Sequence, residues 1–174
     1  MMRLAGLVSA FLLLAGCSAR GGEPGAPDAA LLLADAPAPY LADYGFFSDV
    51  AADNPATGVV PYDLINPLFS DHAIKHRFVY VPKGRPAAYS ADSVIDFPVG
   101  SALIKTFAFA PDLRAPGVRE YKVETRVLIH KPDGWAAFPY VWNAEGTEAV
   151  YAPAGGRQAI SVVGPLGDVL AIDY

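Results

Sequence analysis

The chain of 174 residues has one cysteine, three histidines and two tryptophans. A single cysteine, Cys17, excludes an intrachain disulfide, a cysteine-built zinc site and a Cys-x-x-Cys-His haem attachment within this sequence. Basic residues are outnumbered. Thirteen Lys and Arg stand against eighteen Asp and Glu, the net charge is −5, and no basic stripe is present, which argues against nucleic acid as a partner. Beyond the first fifteen residues no amphipathic helical pattern of eleven residues or more occurs. Turn formers, by contrast, are plentiful: sixteen Gly and sixteen Pro predict frequent turns and short strands. Aromatic residues at 11% supply material for a core.

The N-terminus carries the strongest signal. Met1-Met2-Arg3 is a short positive start, and Leu4 to Ala15 is an unbroken apolar run. As a helix those twelve residues rise only about 18 Å, too short for a bilayer core of about 30 Å, so the run fits a signal peptide. Leu14-Ala15-Gly16-Cys17 matches the bacterial lipobox. It predicts diacylglycerol on the Cys17 thiol, cleavage before Cys17, and attachment to a membrane by that lipid. Ser18, which is not aspartate, directs the expectation to the outer membrane of a Gram-negative cell, at its periplasmic face. The alternative is an ordinary secretory signal with an incidental cysteine.

Three segments follow: a signal peptide over residues 1–16, a flexible tether over 17–39, and a β domain over 40–174. The tether is rich in Gly, Ala and Pro and poor in aromatics, with Leu31-Leu32-Leu33 as an apolar exception able to dock on the domain. Tyr40 to Val50 reads as a short helical turn, and Asp53 to Ile65 as loop and extended chain. Strands are expected at Arg77–Val81, Ser93–Phe97, Ala102–Ala110, Arg119–His130, Trp135–Asn143, Glu148–Tyr151, Gln158–Val163 and Val169–Ile172. Arg119–His130 alternates most cleanly, with Tyr121, Val123, Thr125, Val127 and Ile129 on the buried face and Lys122, Glu124, Arg126, Leu128 and His130 on the wet one. Lys131-Pro132-Asp133-Gly134 makes the turn of a hairpin. The fold class is all-β: an antiparallel, jelly-roll-like β-sandwich with short helical turns.

Few residues suggest chemistry. His72 and His76 stand four apart, a spacing that serves one metal ion on a helix but spans about 13 Å on a strand. The strand-like sequence that follows, the neighbouring Lys75 and Arg77, and the lack of further ligands argue against a metal site. No Gly-x-Ser-x-Gly elbow is present, and Ser70-Asp71-His72 cannot form a triad from adjacent positions. Nothing pairs two carboxylates for glycoside hydrolysis. Phe138, Tyr140 and Trp142 share one strand face and fit either a core or a sugar-stacking platform. No catalytic, metal or cofactor residue is assigned. Asp71, Lys75, Arg77, Trp142 and Asn143 are candidates for a ligand or partner surface.

An ordered set of stretches carries a resemblance. It comprises Tyr44-Gly45-Phe46-Phe47, Pro67-Leu68-Phe69-Ser70-Asp71 with Lys75 and Arg77-Phe78, Asp96-Phe97-Pro98-Val99-Gly100, Leu103-Ile104-Lys105-Thr106-Phe107, Glu124-Thr125-Arg126-Val127-Leu128-Ile129, Gly134-Trp135 and Tyr140-Val141-Trp142-Asn143. Over about Leu41 to Tyr174 the chain resembles the N-terminal β module of a bacterial family of secreted dihaem c-type cytochromes. Ser70, Asp71, Ala73, Lys75, Arg77 and Phe78 match that family's pattern, whereas His72 and His76 stand where other residues are usual. The resemblance implies a non-catalytic module that supports or docks a haem-bearing domain or redox partner. Haem c is then expected only in a continuation past Tyr174, with no cofactor in the present chain. The other reading is a carbohydrate- or ligand-binding surface lipoprotein.

Overall fold

In a computed structural model, residues 25–174 are described, so the signal peptide, Cys17 and residues 18–24 lie outside the described residues. The rest is an all-β, antiparallel, sandwich-like body. A short helix, α1 (Ala29–Leu33), and a 3₁₀ turn (Leu41–Tyr44) precede ten strands: β1 (Phe47–Asp49), β2 (Asn54–Pro55), β3 (Val59–Pro61), β4 (Ile74–Tyr80), β5 (Ala102–Phe109), β6 (Tyr121–Lys131), β7 (Gly134–Trp142), β8 (Ala149–Tyr151), β9 (Ala159–Val163) and β10 (Val169–Asp173). Strands β3 to β8 form one sheet in sequence order, and β1–β2 and β9–β10 are separate two-stranded pairs. A jelly roll needs crossover connections. The six-stranded sheet has none and is a meander, its strands neighbouring in sequence order even across the long 81–101 link between β4 and β5.

The inner face of this sheet holds the main core. Phe78, Ala102, Ile104, Val127, Ile129 and Tyr140 point to it and are buried. The N-terminal segment covers them. Asp28 caps α1 by accepting from the Ala30 and Leu31 N–H groups, which stops the helix start from fraying and turns Leu32 inward to 1% exposure. The boundary drawn at Tyr40 therefore falls inside the packed body, and residues 28–39 are not a flexible tether. Composition misled here, because two buried side chains, Leu32 and Ala38, act together with hydrogen bonds from the Asp28 N–H to the Tyr44 carbonyl and from the Tyr151 N–H to the Pro39 carbonyl. The Tyr140 hydroxyl donates to the Ala38 carbonyl at 2.8 Å and shares a 3.1 Å hydrogen bond with the Tyr44 hydroxyl, which accepts from the Ala38 N–H at 3.1 Å. Tyr44 and Phe46 stack at 5.1 Å beneath this tie, and Gly45 between them has φ +69°, a value that strains other L residues.

The outer face is covered at one end only. There the β9–β10 hairpin lays Val162 and Ile160 over Phe107, Phe109 and Val123. A bulge assists. Phe107 pairs with Glu124 and Ala108 with Lys122, so β6 carries one extra residue, Val123. The bulge breaks the expected alternation. Tyr121 is exposed rather than buried, and Lys122 turns inward to lie 4.4 Å from the Trp142 ring. Ser93–Phe97 is likewise not a strand. It makes one bridge, Ala88 with Asp96, and leaves its apolar side chains along a sheet rim.

Leu32→Ala tests whether the N-terminal segment belongs to the folding unit. Emptying a fully buried leucine site is expected to cost about 2–4 kcal/mol in urea unfolding. A loss within 0.5 kcal/mol, the usual range of a surface change, would return residues 28–39 to the status of a tether.

Candidate functional site

The uncovered part of the outer face consists of ordered rows across the sheet. Pairing aligns Val79 with Leu103, Leu103 with Leu128 and Leu128 with Ala137. Two residues along, about 7 Å away, it aligns Arg77 with Lys105, Lys105 with Arg126 and Arg126 with Pro139. An apolar row thus runs beside a cationic row. Beyond lies a third row, Lys75, Phe107, Glu124 and Val141.

Like charges directly opposite one another on a sheet are unfavourable. Two of the three cations in the row have partners. Arg77, whose side chain is buried, holds Asp63 at 2.8 Å, and Arg126 chelates Glu124 through bonds of 3.0 and 2.9 Å. The Tyr174 hydroxyl also donates to Glu124, and burial together with that carboxylate pushes the Tyr174 phenol pKa upward. Among the described residues Lys105 makes no ion pair. Its ammonium lies 4.6 Å from the Phe107 ring centroid, and the Arg126 guanidinium lies 4.8 Å from the same ring. Burial, and then Arg77, Lys75 and Arg126, lower the pKa of Lys105.

The apolar row floors a recess of about 810 Å³. Tyr62 and Trp135 stand at its sides, and the 87–97 loop forms a wall carrying Tyr89 and Val94, which are 82% and 87% exposed. Hydrogen bonding holds this wall to the sheet. His130 Nδ1 lies 2.6 Å from the Phe97 carbonyl oxygen, and the His130 ring stacks on Trp135 at 4.8 Å.

A second polar cluster closes the other end of the sheet. Lys122 donates to the Val50 and Ala51 carbonyls and lies 2.7 Å from Asp53 Oδ1, while His76 Nε2 lies 2.5 Å from Glu120 Oε2. Burial raises the pKa of Asp53, Lys122 and His76 oppose that rise, and Glu120 adds to it. Two of the three Lys122 protons go to the carbonyls, and the ammonium lies against Asp53 Oδ1 and offsets its charge. The cluster fastens the β1–β2 turn to β6. Among the described residues no group of three His, Cys, Asp or Glu could hold a metal ion.

The five candidate surface residues do not form one surface. Arg77 belongs to the cationic row, and Lys75, one row away, donates to the Leu68 carbonyl. Asp71 sits in an exposed turn with φ +44°. Trp142 is 4% exposed and donates to Thr125 Oγ1 at 2.9 Å, with Thr106 Oγ1 a further 2.7 Å away. With Tyr140 also buried, the aromatic face of β7 is core, and no sugar ring reaches it. The Asn143 side chain is committed to Thr147 and to the turn before β8. His72 and His76 share no helix face. His72 lies in a left-handed turn, φ +66°, with its ring against Phe69, while His76 is in β4.

Sequence reasoning missed Lys105 and read Arg126 as part of a plain wet face. Each alternates correctly within its own strand, but the row exists only through cross-strand register. Compared with protein-family models, curated proteins and solved structures, the chain matches none of them.

Asp53 gives a test with a definite sign. Its folded pKa is raised above 3.8, so the folded state holds the proton more tightly than the unfolded chain. The stability of the native protein relative to Asp53→Asn is expected to grow as pH falls through that raised value, and to level off below 3.8. Urea unfolding of both proteins across this range checks it. A relative stability that shrinks on acidification would mean that Lys122 outweighs burial.

Proposed function

We propose that the chain is a membrane-anchored extracytoplasmic lipoprotein whose β body is a non-catalytic binding module. The observation that carries this reading is the outer sheet face, where an apolar recess adjoins a row of cations and no nucleophile–base pair is present among the lining residues. Such a surface recognises by burial and charge, the arrangement of small-molecule sites with few polar groups. The lipobox Leu14-Ala15-Gly16-Cys17 supports the anchor, and Ser18 supports the outer membrane as its place.

A second reading keeps the same anchor and makes the module a support for a haem-bearing domain or redox partner. Its support is that residues carrying the family resemblance serve the fold rather than a reaction. Thr125 joins Thr106 to Trp142, Phe97 ties the loop wall to His130, and Tyr44 and Tyr140 fix the N-terminal segment. A module of that kind has no haem ligands of its own. A Cys-x-x-Cys-His motif encoded past Tyr174 or by an adjacent gene favours this reading, and the absence of both removes it.

The anchor is tested by fractionation. The native protein is expected in the outer-membrane fraction and the detergent phase, with Cys17 carrying acyl mass, whereas Cys17→Ala is expected to lose both properties. An unmodified Cys17 in the native protein would refute the anchor.

A further inference from the structure

We infer that the outer sheet face binds a monomeric long-chain carboxylate. Its head group pairs with Lys105, between Arg77 and Arg126, and its aliphatic chain lies over Val79, Leu103 and Leu128. The inference deepens the binding-module reading and rests on it.

Three observations point to this occupant. First, the cationic and apolar rows are adjacent, in register and about 7 Å apart, the layout of one amphiphile with a single charged end. Second, charge complementarity selects an anion. Four cations, Lys75, Arg77, Lys105 and Arg126, face two carboxylates, Asp63 and Glu124, and each carboxylate is already bound to an arginine. Lys75 and Lys105 have no ion pair among the described residues; Lys75 donates to the Leu68 carbonyl, so Lys105, between the arginines, is the better placed to take a head group. It stands two residues from Leu103 along β5, in the row beside the recess floor, with its ammonium resting over Phe107 and free to swing toward Leu103 about its flexible stem. Third, the apolar surface is concave. A bilayer is entered by protruding side chains, whereas a floor of Leu103 and Leu128 beside a loop wall offers an open trough for one chain taken from water.

The test uses the mature chain, residues 17–174, with Cys17→Ala so that no attached lipid competes. Dodecanoate, kept below its micelle concentration, is titrated by calorimetry, with dodecanol and butyrate as comparators. Dodecanoate is expected to bind one per chain. Dodecanol, which lacks the charge, should bind about tenfold more weakly, and butyrate, which lacks the chain, should give no heat. Lys105→Met should weaken dodecanoate about tenfold and leave dodecanol unchanged, while Leu128→Asn should weaken both. Near-UV circular dichroism reports whether each variant is folded. Should Lys105→Met misfold, added salt on the native chain substitutes for it, weakening dodecanoate and not dodecanol. No dodecanoate binding, equal binding of dodecanol, or indifference to both Lys105→Met and salt overturns the inference. So does binding confined to vesicles of anionic phospholipid, which would make the face a membrane contact. These failures leave the Cys17 anchor standing, and loss of the anchor leaves this site intact, so the two claims fail separately.

Discussion

The hydrogen-bonded tie among Tyr140, Tyr44 and the Ala38 peptide is the contact on which the rest of the architecture depends. A six-stranded meander has two faces, and the described residues cover little more than one. The tie fixes the choice by holding residues 28–46 against the inner face, where the Ala38 carbonyl and N–H are both satisfied by tyrosine hydroxyls. Burial together with the hydrogen bond to Tyr44 pushes the Tyr140 phenol pKa upward, so it remains a neutral donor. Because the same segment brings Leu32, Leu41 and Phe46 into the core, losing the tie would expose apolar surface as well as two polar groups. With the inner face sealed, the outer face is left open except under β9–β10.

The bulge at Val123 divides the polar residues of β6 between the two layers. Without it, Lys122 would continue the outer row with Glu124 and Arg126. With it, Lys122 passes to the inner side, rests on Trp142 and closes the β1–β2 turn through Asp53. The outer end is freed for Phe107, Phe109 and Tyr174 to pack together. One inserted residue therefore sets both the closed end of the inner core and the boundary of the open face.

The strands were legible because their signals are local. β5, β6 and β7 follow alternation and β-branched content to within two residues, and the Pro132-Asp133 turn is set by its own chemistry, with Gly134 at φ +126°. The docking of residues 28–39 was not legible, since it rests on Leu32 and Ala38 inside a segment whose composition suits a linker. The expected strand at Ser93–Phe97 was a short apolar run whose side chains serve the recess wall instead of a ladder. Trp142 fitted both core and surface on alternation alone, and its bond to Thr125 decides for core. The cationic row was hidden for a different reason. Arg77, Lys105 and Arg126 lie on three strands far apart in sequence, and register between strands depends on turn lengths and a bulge that no single strand encodes.

That hidden row is also where the sheet departs from the economy shown elsewhere. Other buried or half-buried charges are discharged locally: Lys131 on the Ala34 carbonyl and the Phe138 ring, Lys122 on Asp53 and two carbonyls, His76 on Glu120. Fold stability alone would favour a polar or apolar residue at position 105, because burial, and then the cations on either side, disfavour its charge and lower its pKa. Glu124 could have served Lys105, yet it is engaged by Arg126 and Tyr174. An apolar row beside the charge lowers the local dielectric and strengthens an electrostatic interaction made there, so the feature that costs the sheet is the one that favours the proposed carboxylate. Cost and gain therefore meet at one side chain, which makes Lys105 the residue where the folding argument and the functional argument point in opposite directions.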